Sequence, residues 1–158
     1  MKAIVLAAGM GKRLQSESCD LPKVLRQAKG RALLDYVLEN VNFIAPEDTV
    51  IVVGYKKEMV YDAVPHTYRF AVQTEQLGTG HATMSAADEL RDYDGDVLVL
   101  YGDMPMLKKE TYQKLIETHQ KEHAHCTILT TITESPLAYG RIIRKDGKIA
   151  DIIEQKDC

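Results

Sequence analysis

Cysteine is scarce in this 158-residue chain and badly placed for structural work. Cys19, Cys126 and Cys158 are odd in number and far apart, which argues against a disulfide framework, and no paired spacing suggests a zinc or dithiol site. A reducing, cytoplasmic setting is the expectation. Long apolar runs are missing too. Ala3 to Ala8 and Val97 to Tyr101 fall far below the roughly 20 residues of a membrane span. Met1-Lys2 leads into an apolar run with no small-residue cleavage site and polar continuation, so no secretory signal is expected. Nor is there an excess of positive charge. The formal net charge is −3 with both signs interspersed, which speaks against a nucleic-acid surface built on general basicity.

What is present is an ordinary globular composition, 45% hydrophobic and 27% charged. A chain of this length buries roughly 70% of the surface its unfolded form exposes, so it can build a real core. Disordered, collagen-like and coiled-coil organisations are excluded. With no linker and no internal repeat, residues 1–158 are expected to form one domain.

Continuous apolar runs predict strands buried on both faces at Lys2 to Ala7 and Thr49 to Val53, and most clearly at Asp96 to Tyr101. Arg69 to Gln73 reads as a short strand and Cys126 to Thr133 as one rich in β-branched residues. Between them, apolar residues at helical spacing predict helices over Ala32 to Val41, Lys56 to Val64, Gly80 to Leu90 and Lys108 to Glu122. Asp146-Gly147 joins two strand-like segments, Arg141 to Arg144 and Lys148 to Glu154, as a hairpin turn would. Alternating strands and helices over the first 125 or so residues predict a three-layer α/β fold with a mostly parallel sheet, closed by a mixed or antiparallel edge.

In such a sheet ligands bind beyond the carboxyl ends of the strands, where the strand order reverses. The segments that should meet there are rich in glycine. Leu6-Ala7-Ala8-Gly9-Met10-Gly11-Lys12-Arg13 combines small residues, which let backbone N–H groups approach an anion, with two cations. It is neither a P-loop, since arginine follows Gly11-Lys12, nor a dinucleotide fingerprint, since Leu14 stands at the third glycine. A tight turn without a ligand is the competing reading. Lys23, after Pro22, is by itself an ordinary surface lysine. In Gln73-Thr74-Glu75-Gln76-Leu77-Gly78-Thr79-Gly80-His81, the two glutamines offer donors and acceptors suited to a base edge. Thr79 could instead simply cap a helix.

Tyr101-Gly102-Asp103-Met104-Pro105 is the sharpest chemical signal. A buried strand delivers a carboxylate to the sheet edge, where it must be solvated or meet a cation. Magnesium needs only one or two carboxylates plus substrate phosphates; a turn aspartate before Pro105 is the alternative. His119, His123 and His125 lack the acidic partner of a metalloprotease helix and read as a polar helix end.

Taken in order, the glycine loop with Pro22-Lys23-Val24-Leu25, then Gln76 to Ala82, Tyr101-Gly102-Asp103, Tyr139-Gly140-Arg141 and Ile153 to Asp157 resemble the sugar-nucleotide pyrophosphorylases. They are most similar to the uridylyltransferase domains of the bifunctional bacterial UDP-N-acetylglucosamine pyrophosphorylases. The first motif alone marks a broad nucleotidyltransferase superfamily; five in the same order are specific, and the resemblance runs from Met1 to Cys158. It implies a Rossmann-like nucleotide-diphospho-sugar transferase fold and a reaction of UTP with N-acetylglucosamine 1-phosphate to give UDP-N-acetylglucosamine and pyrophosphate.

Carried over residue by residue, the resemblance implies that Leu6, Ala7, Ala8 and Gly9 hold uridine and ribose, with Tyr101 and Gly102 also on the nucleotide. Arg13 and Lys23 would stabilise the phosphates as catalytic residues, Gln73, Gly78 and Thr79 would read the uracil, and Asp103 would bind Mg2+. Gly140 and Glu154 would hold the sugar. The implied partners are the two small-molecule substrates, with no nucleic acid or membrane.

Three departures stand out. Lys12 occupies a place usually held by a small hydroxyl residue, and the loop from Gln15 to Leu21 is longer than in the commonest bacterial members. The family's catalytic domain also continues past the equivalent of Glu154, with asparagines for the sugar and the magnesium, so a domain incomplete at its C-terminus is expected. Two other functions compete: nucleotidyl transfer to a different sugar or alcohol phosphate, and nucleotide binding without turnover.

Overall fold

In the computed structural model, which describes residues 1–11, 21–134 and 139–153, the chain divides into two units, Met1–Cys126 and Thr127–Cys158. The first unit begins with β1 (Lys2–Leu6) and a two-residue-per-strand hairpin, β2 (Gln27–Ala28) and β3 (Arg31–Ala32). There follow α1 (Leu33–Asn40), β4 (Thr49–Val53), α2 (Lys57–Ala63), β5 (Arg69–Val72), α3 (Thr79–Met84), β6 (Val97–Tyr101) and α4 (Lys109–Lys121). Four of these strands form one parallel sheet in the order β5-β4-β1-β6. The chain thus builds outward from β1 on one side, then crosses back to lay β6 on the other.

β1 and β4 carry apolar side chains at successive positions because both of their faces are covered. Ala3, Val5, Ile51 and Val53 turn to one face, where Leu34, Val37 and Leu38 of α1, Val60 of α2 and Tyr112 of α4 complete the larger core. Ile4, Val50 and Val52 turn to the other, under Ala82 and Ala86. On that face α3 contributes only the methyl group of Ala82, followed by Ala86 just beyond the helix and Leu90 of the next turn, so α3 lies close against the strands.

The expectation of a fully buried sixth strand needs correction. β6 is an edge strand, and only Leu98 and Leu100 are buried, whereas Val97, Val99 and Tyr101 are exposed. An unbroken apolar run is the same string whether both faces are covered or one, so the sequence alone could not distinguish the two. The expected helix over Gly80 to Leu90 is split into α3 and a separate 3-10 turn, Ala87–Leu90.

Where the second unit begins, Cys126 to Thr133 forms no strand, and Ile132 is wholly exposed. β propensity becomes a strand only where a neighbour supplies the ladder. The hairpin does form, as β7 (Arg141–Lys145) and β8 (Lys148–Ile153), in a two-stranded sheet of its own instead of closing the parallel one. Its two-residue turn has positive φ at both Asp146 (51°) and Gly147 (77°), the backbone that Asp-Gly favours because it matches the strands' twist. Among the described residues no helix is long and apolar enough to cross a membrane.

Two stability outcomes follow. Ile51 is fully buried at the centre of the sheet, so Ile51→Ala is expected to cost roughly 2–5 kcal/mol in a denaturant titration. Tyr112 is the opposite case: burial pushes its phenol pKa up, and its buried Oη has no hydrogen-bond partner among the described residues. Tyr112→Phe should therefore leave stability unchanged or raise it by up to about 1 kcal/mol.

Candidate functional site

All four strands of the parallel sheet end on the same edge, and the strand order reverses beside β1, which is where the site is expected. The ladder continues one residue past the strand ends. Ala7 N–H donates to the Val52 carbonyl at 2.8 Å, Gly102 N–H to Leu6 at 2.9 Å, and Gln73 N–H to Val53 at 2.8 Å. Each loop therefore leaves the sheet at a fixed point and angle. The Ala8 carbonyl then accepts from the Tyr55 N–H at 3.3 Å and from Gln76 Nε2 at 3.1 Å, tying the loops after β1, β4 and β5 together.

Gly54 sits inside that junction. A Cβ there would lie 3.0 Å from both the Ala8 Cβ and Gln76 Nε2, so a side chain would push the loops apart. Gly102 is closed in similarly, with the Leu6 carbonyl and Val24 Cγ1 each 3.2 Å from where a Cβ would be.

Above the strand ends lies a cavity of about 550 Å³. Leu6, Ala8, Gly9 and Gly11 line it from the first loop, Lys23 and Val24 from the segment before α1. Gln73, Gln76, Gly78, Thr79 and Ala82 line it from the β5–α3 connection, and Tyr101 and Asp103 from the end of β6. Gly11 has φ of +68°, and a Cβ on it would meet the Lys23 Cβ at 2.9 Å, so glycine is needed there on both counts.

The charged pair of the site is Lys23 and Asp103. Lys23 opens a 3-10 turn, Lys23–Leu25, anchored by the buried Val24, and its Nζ forms an ion pair with Asp103 Oδ2. Both side chains keep some contact with solvent, 33% and 22%, so the pair is reachable by a solute. Asp103 is held in turn by its loop: Met104 N–H donates to the Tyr101 carbonyl at 3.3 Å, and Asn40 Nδ2 of α1 to the Pro105 carbonyl at 3.4 Å. Deeper in, the buried Gln73 places Nε2 3.1 Å from the Gly78 carbonyl and 3.1 Å from His81 Nδ1.

The structure thus brings nine of the residues singled out from sequence, Leu6, Ala8, Gly9, Lys23, Gln73, Gly78, Thr79, Tyr101 and Asp103, around one cavity. Two others face elsewhere. Ala7 turns its methyl into the larger core, and Gly102 is buried behind the end of β1, so both act through the backbone bonds described above. Alternation along the strand explains Ala7: its neighbours Leu6 and Ala8 are the residues whose side chains can reach the cavity. Gly140 lies in the second unit, where a Cβ on it would stand 3.3 Å from the Ile153 carbonyl oxygen. Arg13 and Glu154 are outside the described residues.

Gln76, Val24 and Ala82 also line the cavity. For Gln76 the signal was its amide in a glycine-rich segment; Val24 and Ala82 stood inside the motifs Pro22 to Leu25 and Gln76 to Ala82, but as apolar residues they carried no chemical signal of their own. Among the described residues no three His, Cys, Asp or Glu side chains cluster as a metal cage. His119 Nε2 instead lies 3.4 Å from Asp96 Oδ1.

Comparison with known proteins gives a consistent picture. The profile of the MobA-like NTP transferase domain matches residues 3–152. The bifunctional protein GlmU of Streptococcus uberis is 46% identical over 157 residues, which is 99% of this chain and 34% of that protein. The chain therefore spans about a third of the length of the curated relatives it matches. Among solved structures, UDP-glucose pyrophosphorylase complexed with UDP-glucose aligns over 98% of this chain and 68% of its own, with a TM-score of 0.72 at 19% identity. Rv0371c of Mycobacterium tuberculosis complexed with manganese aligns over 76% of this chain and 59% of its own, with a TM-score of 0.59 at 17% identity. At such identities the structural likeness is one of fold.

The crowding at Gly54 can be tested directly. Gly54→Val is expected to destabilise the chain by roughly 1–3 kcal/mol and to detach Gln76 from the Ala8 carbonyl, which thermal unfolding and the side-chain amide resonances of Gln76 would reveal.

Proposed function

The chain belongs to the MobA-like NTP transferase family, and from that premise we propose that it carries the nucleotide site of a uridylyltransferase, one that joins UTP to N-acetylglucosamine 1-phosphate and releases pyrophosphate. The observation that carries this reading is the Lys23–Asp103 pair beside the Gly9–Gly11 loop, in one cavity with the amides of Gln73 and Gln76. The 46% identity to a GlmU protein over nearly the whole chain supports the choice of uridylyl transfer and of the acceptor sugar. Both units are proposed to belong to one catalytic domain.

The chemistry asks little of the protein in covalent terms. A phosphate oxygen of the sugar phosphate attacks the α-phosphorus of the nucleotide, the bond to the bridging oxygen breaks, and pyrophosphate leaves in line. What must be supplied is position and positive charge where negative charge gathers. Lys23, at the cavity wall, and Arg13, from the glycine loop, are proposed to neutralise it. Leu6, Ala8 and Gly9 present a small, flat wall for the nucleoside, with Tyr101 beside it and Ala7 and Gly102 holding the backbone that carries them. Gln73, Gly78 and Thr79 read the base, and Gly140 and Glu154 are proposed to hold the sugar.

The residues present fit a divalent cation. Asp103 is a single, partly solvated carboxylate at a strand end that is already paired with a cationic group, and hard ions of the Mg2+ type need few protein ligands when phosphates supply the rest. The manganese of the Rv0371c complex supports a divalent ion in this fold. Mg2+ held by Asp103 would lower the charge on the triphosphate and on the leaving pyrophosphate.

The test is Mg2+-dependent pyrophosphate release from UTP and N-acetylglucosamine 1-phosphate, run on this chain and on a protein that carries it at the length of its relatives. The 158-residue chain is expected to bind UTP weakly and turn over poorly. In the longer protein Asp103→Ala should lower release by about 10²-fold or more. Unaltered release in that variant would remove Asp103 from the metal site, and release with CTP or another acceptor in preference would redirect the substrate assignment.

A further inference from the structure

The cavity contains a hydrogen-bonded chain that fixes the direction of one amide. Gln73, just past the end of β5, is only 4% exposed, and its backbone N–H donates to the Val53 carbonyl at the end of β4. Its Nε2 lies 3.1 Å from the Gly78 carbonyl. A carbonyl oxygen can only accept, so the nitrogen of the amide, and not its oxygen, must face Gly78. The second hydrogen of the same NH2 group then goes to His81 Nδ1, also 3.1 Å away, which must be the bare nitrogen of the ring. Both donors are spent, while Gln73 Oε1 has no hydrogen-bond partner among the described residues and belongs to a side chain that lines the cavity.

We propose that His81 is a positioning residue that sets base preference: by accepting from Gln73 Nε2 it locks the amide with its oxygen toward the ligand, so that the site favours a pyrimidine carrying an imino N–H. Uracil and thymine offer that donor at N3; cytosine has a lone pair at the same position. A buried acceptor facing a lone pair loses its hydrogen bond without replacement, which is how a polar site rejects a near-isosteric ligand. Without His81 the NH2 group loses one of its two acceptors, and the opposite amide orientation becomes competitive. The local fold supports this role. The His81 carbonyl accepts both the Ser85 N–H, at 3.0 Å, and Ser85 Oγ, at 2.9 Å, so the turn that carries the ring is tied down on its far side.

This inference rests on the reading of the cavity as a uridine nucleotide site, and the experiment separates the two. Binding of UTP and of CTP in the presence of Mg2+ would be measured for the 158-residue chain, for His81→Leu and for His81→Asn, whose Oδ1 can stand where the ring Nδ1 accepts. The wild-type chain is expected to prefer UTP, His81→Leu to lose about tenfold of that preference, and His81→Asn to keep most of it. Nitrogen-15 spectra of labelled histidine in the wild-type chain, with the ring neutral, should show His81 protonated on Nε2 and bare on Nδ1. An unchanged UTP-to-CTP ratio in His81→Leu, or a proton on Nδ1, would overturn the role of His81 and leave the uridylyl reading standing. A wild-type chain that binds neither nucleotide, or binds CTP as tightly as UTP, would overturn the uridylyl reading and this inference with it.

Discussion

The position of every polar group in the cavity follows from the parallel pairing of β1 with β4 on one side and β6 on the other. Parallel strands end together, so Leu6, Val53, Val72 and Tyr101 come to one edge, and the backbone bonds from Ala7, Gln73 and Gly102 carry the same register into the loops. That register rests on a core of Val, Ile and Leu side chains packed on both faces of the two inner strands. Buried apolar area, at roughly 25 cal/mol per Å², holds the sheet together, and the ladder converts it into the placement of a lysine, an aspartate and two glutamines.

Electrostatics then acts on a nearly neutral background. The chain carries a formal charge of only −3, so the potential at the cavity is set less by a general field than by local groups such as the Lys23–Asp103 pair. Lys23 satisfies Asp103 and Asp103 satisfies Lys23. Neither charge is left unpaired in a half-desolvated cleft, which would be costly, and both stay accessible enough to change partner.

Much of this was legible in the sequence. Thr49 to Val53 is a run of five residues with no polar interruption after its threonine, and it is a strand over those same bounds. Asp146-Gly147 marks its hairpin because few residue pairs tolerate two positive φ angles in succession. The clustering of Lys23, Gln73 and Asp103, more than 75 positions apart at the extremes, was accessible through the strand-end rule for Gln73 and Asp103 and through the family resemblance alone for Lys23. What stayed hidden depends on neighbours. Whether Val97 and Val99 are covered, whether Cys126 to Thr133 finds a ladder, and that Ala7 turns from the site while Leu6 and Ala8 do not are properties of the assembled sheet. The bond between Gln73 and His81 belongs to the same group, since nothing in their spacing says which nitrogen meets which.

The close seating of α3 on the sheet has a consequence for how this molecule can change. His81 and Ala82 share a turn, and Ala82 and Ala86 meet the strands through single methyl groups. The gap between helix and sheet therefore calibrates where the imidazole stands relative to the Gln73 amide. An added methylene at Ala86, which packs behind Ala8 and Ala82 without itself lining the cavity, would tilt that gauge. Substrate discrimination in this fold is thus tunable from a packing position, and a drift in base preference can arise through residues that never touch a base.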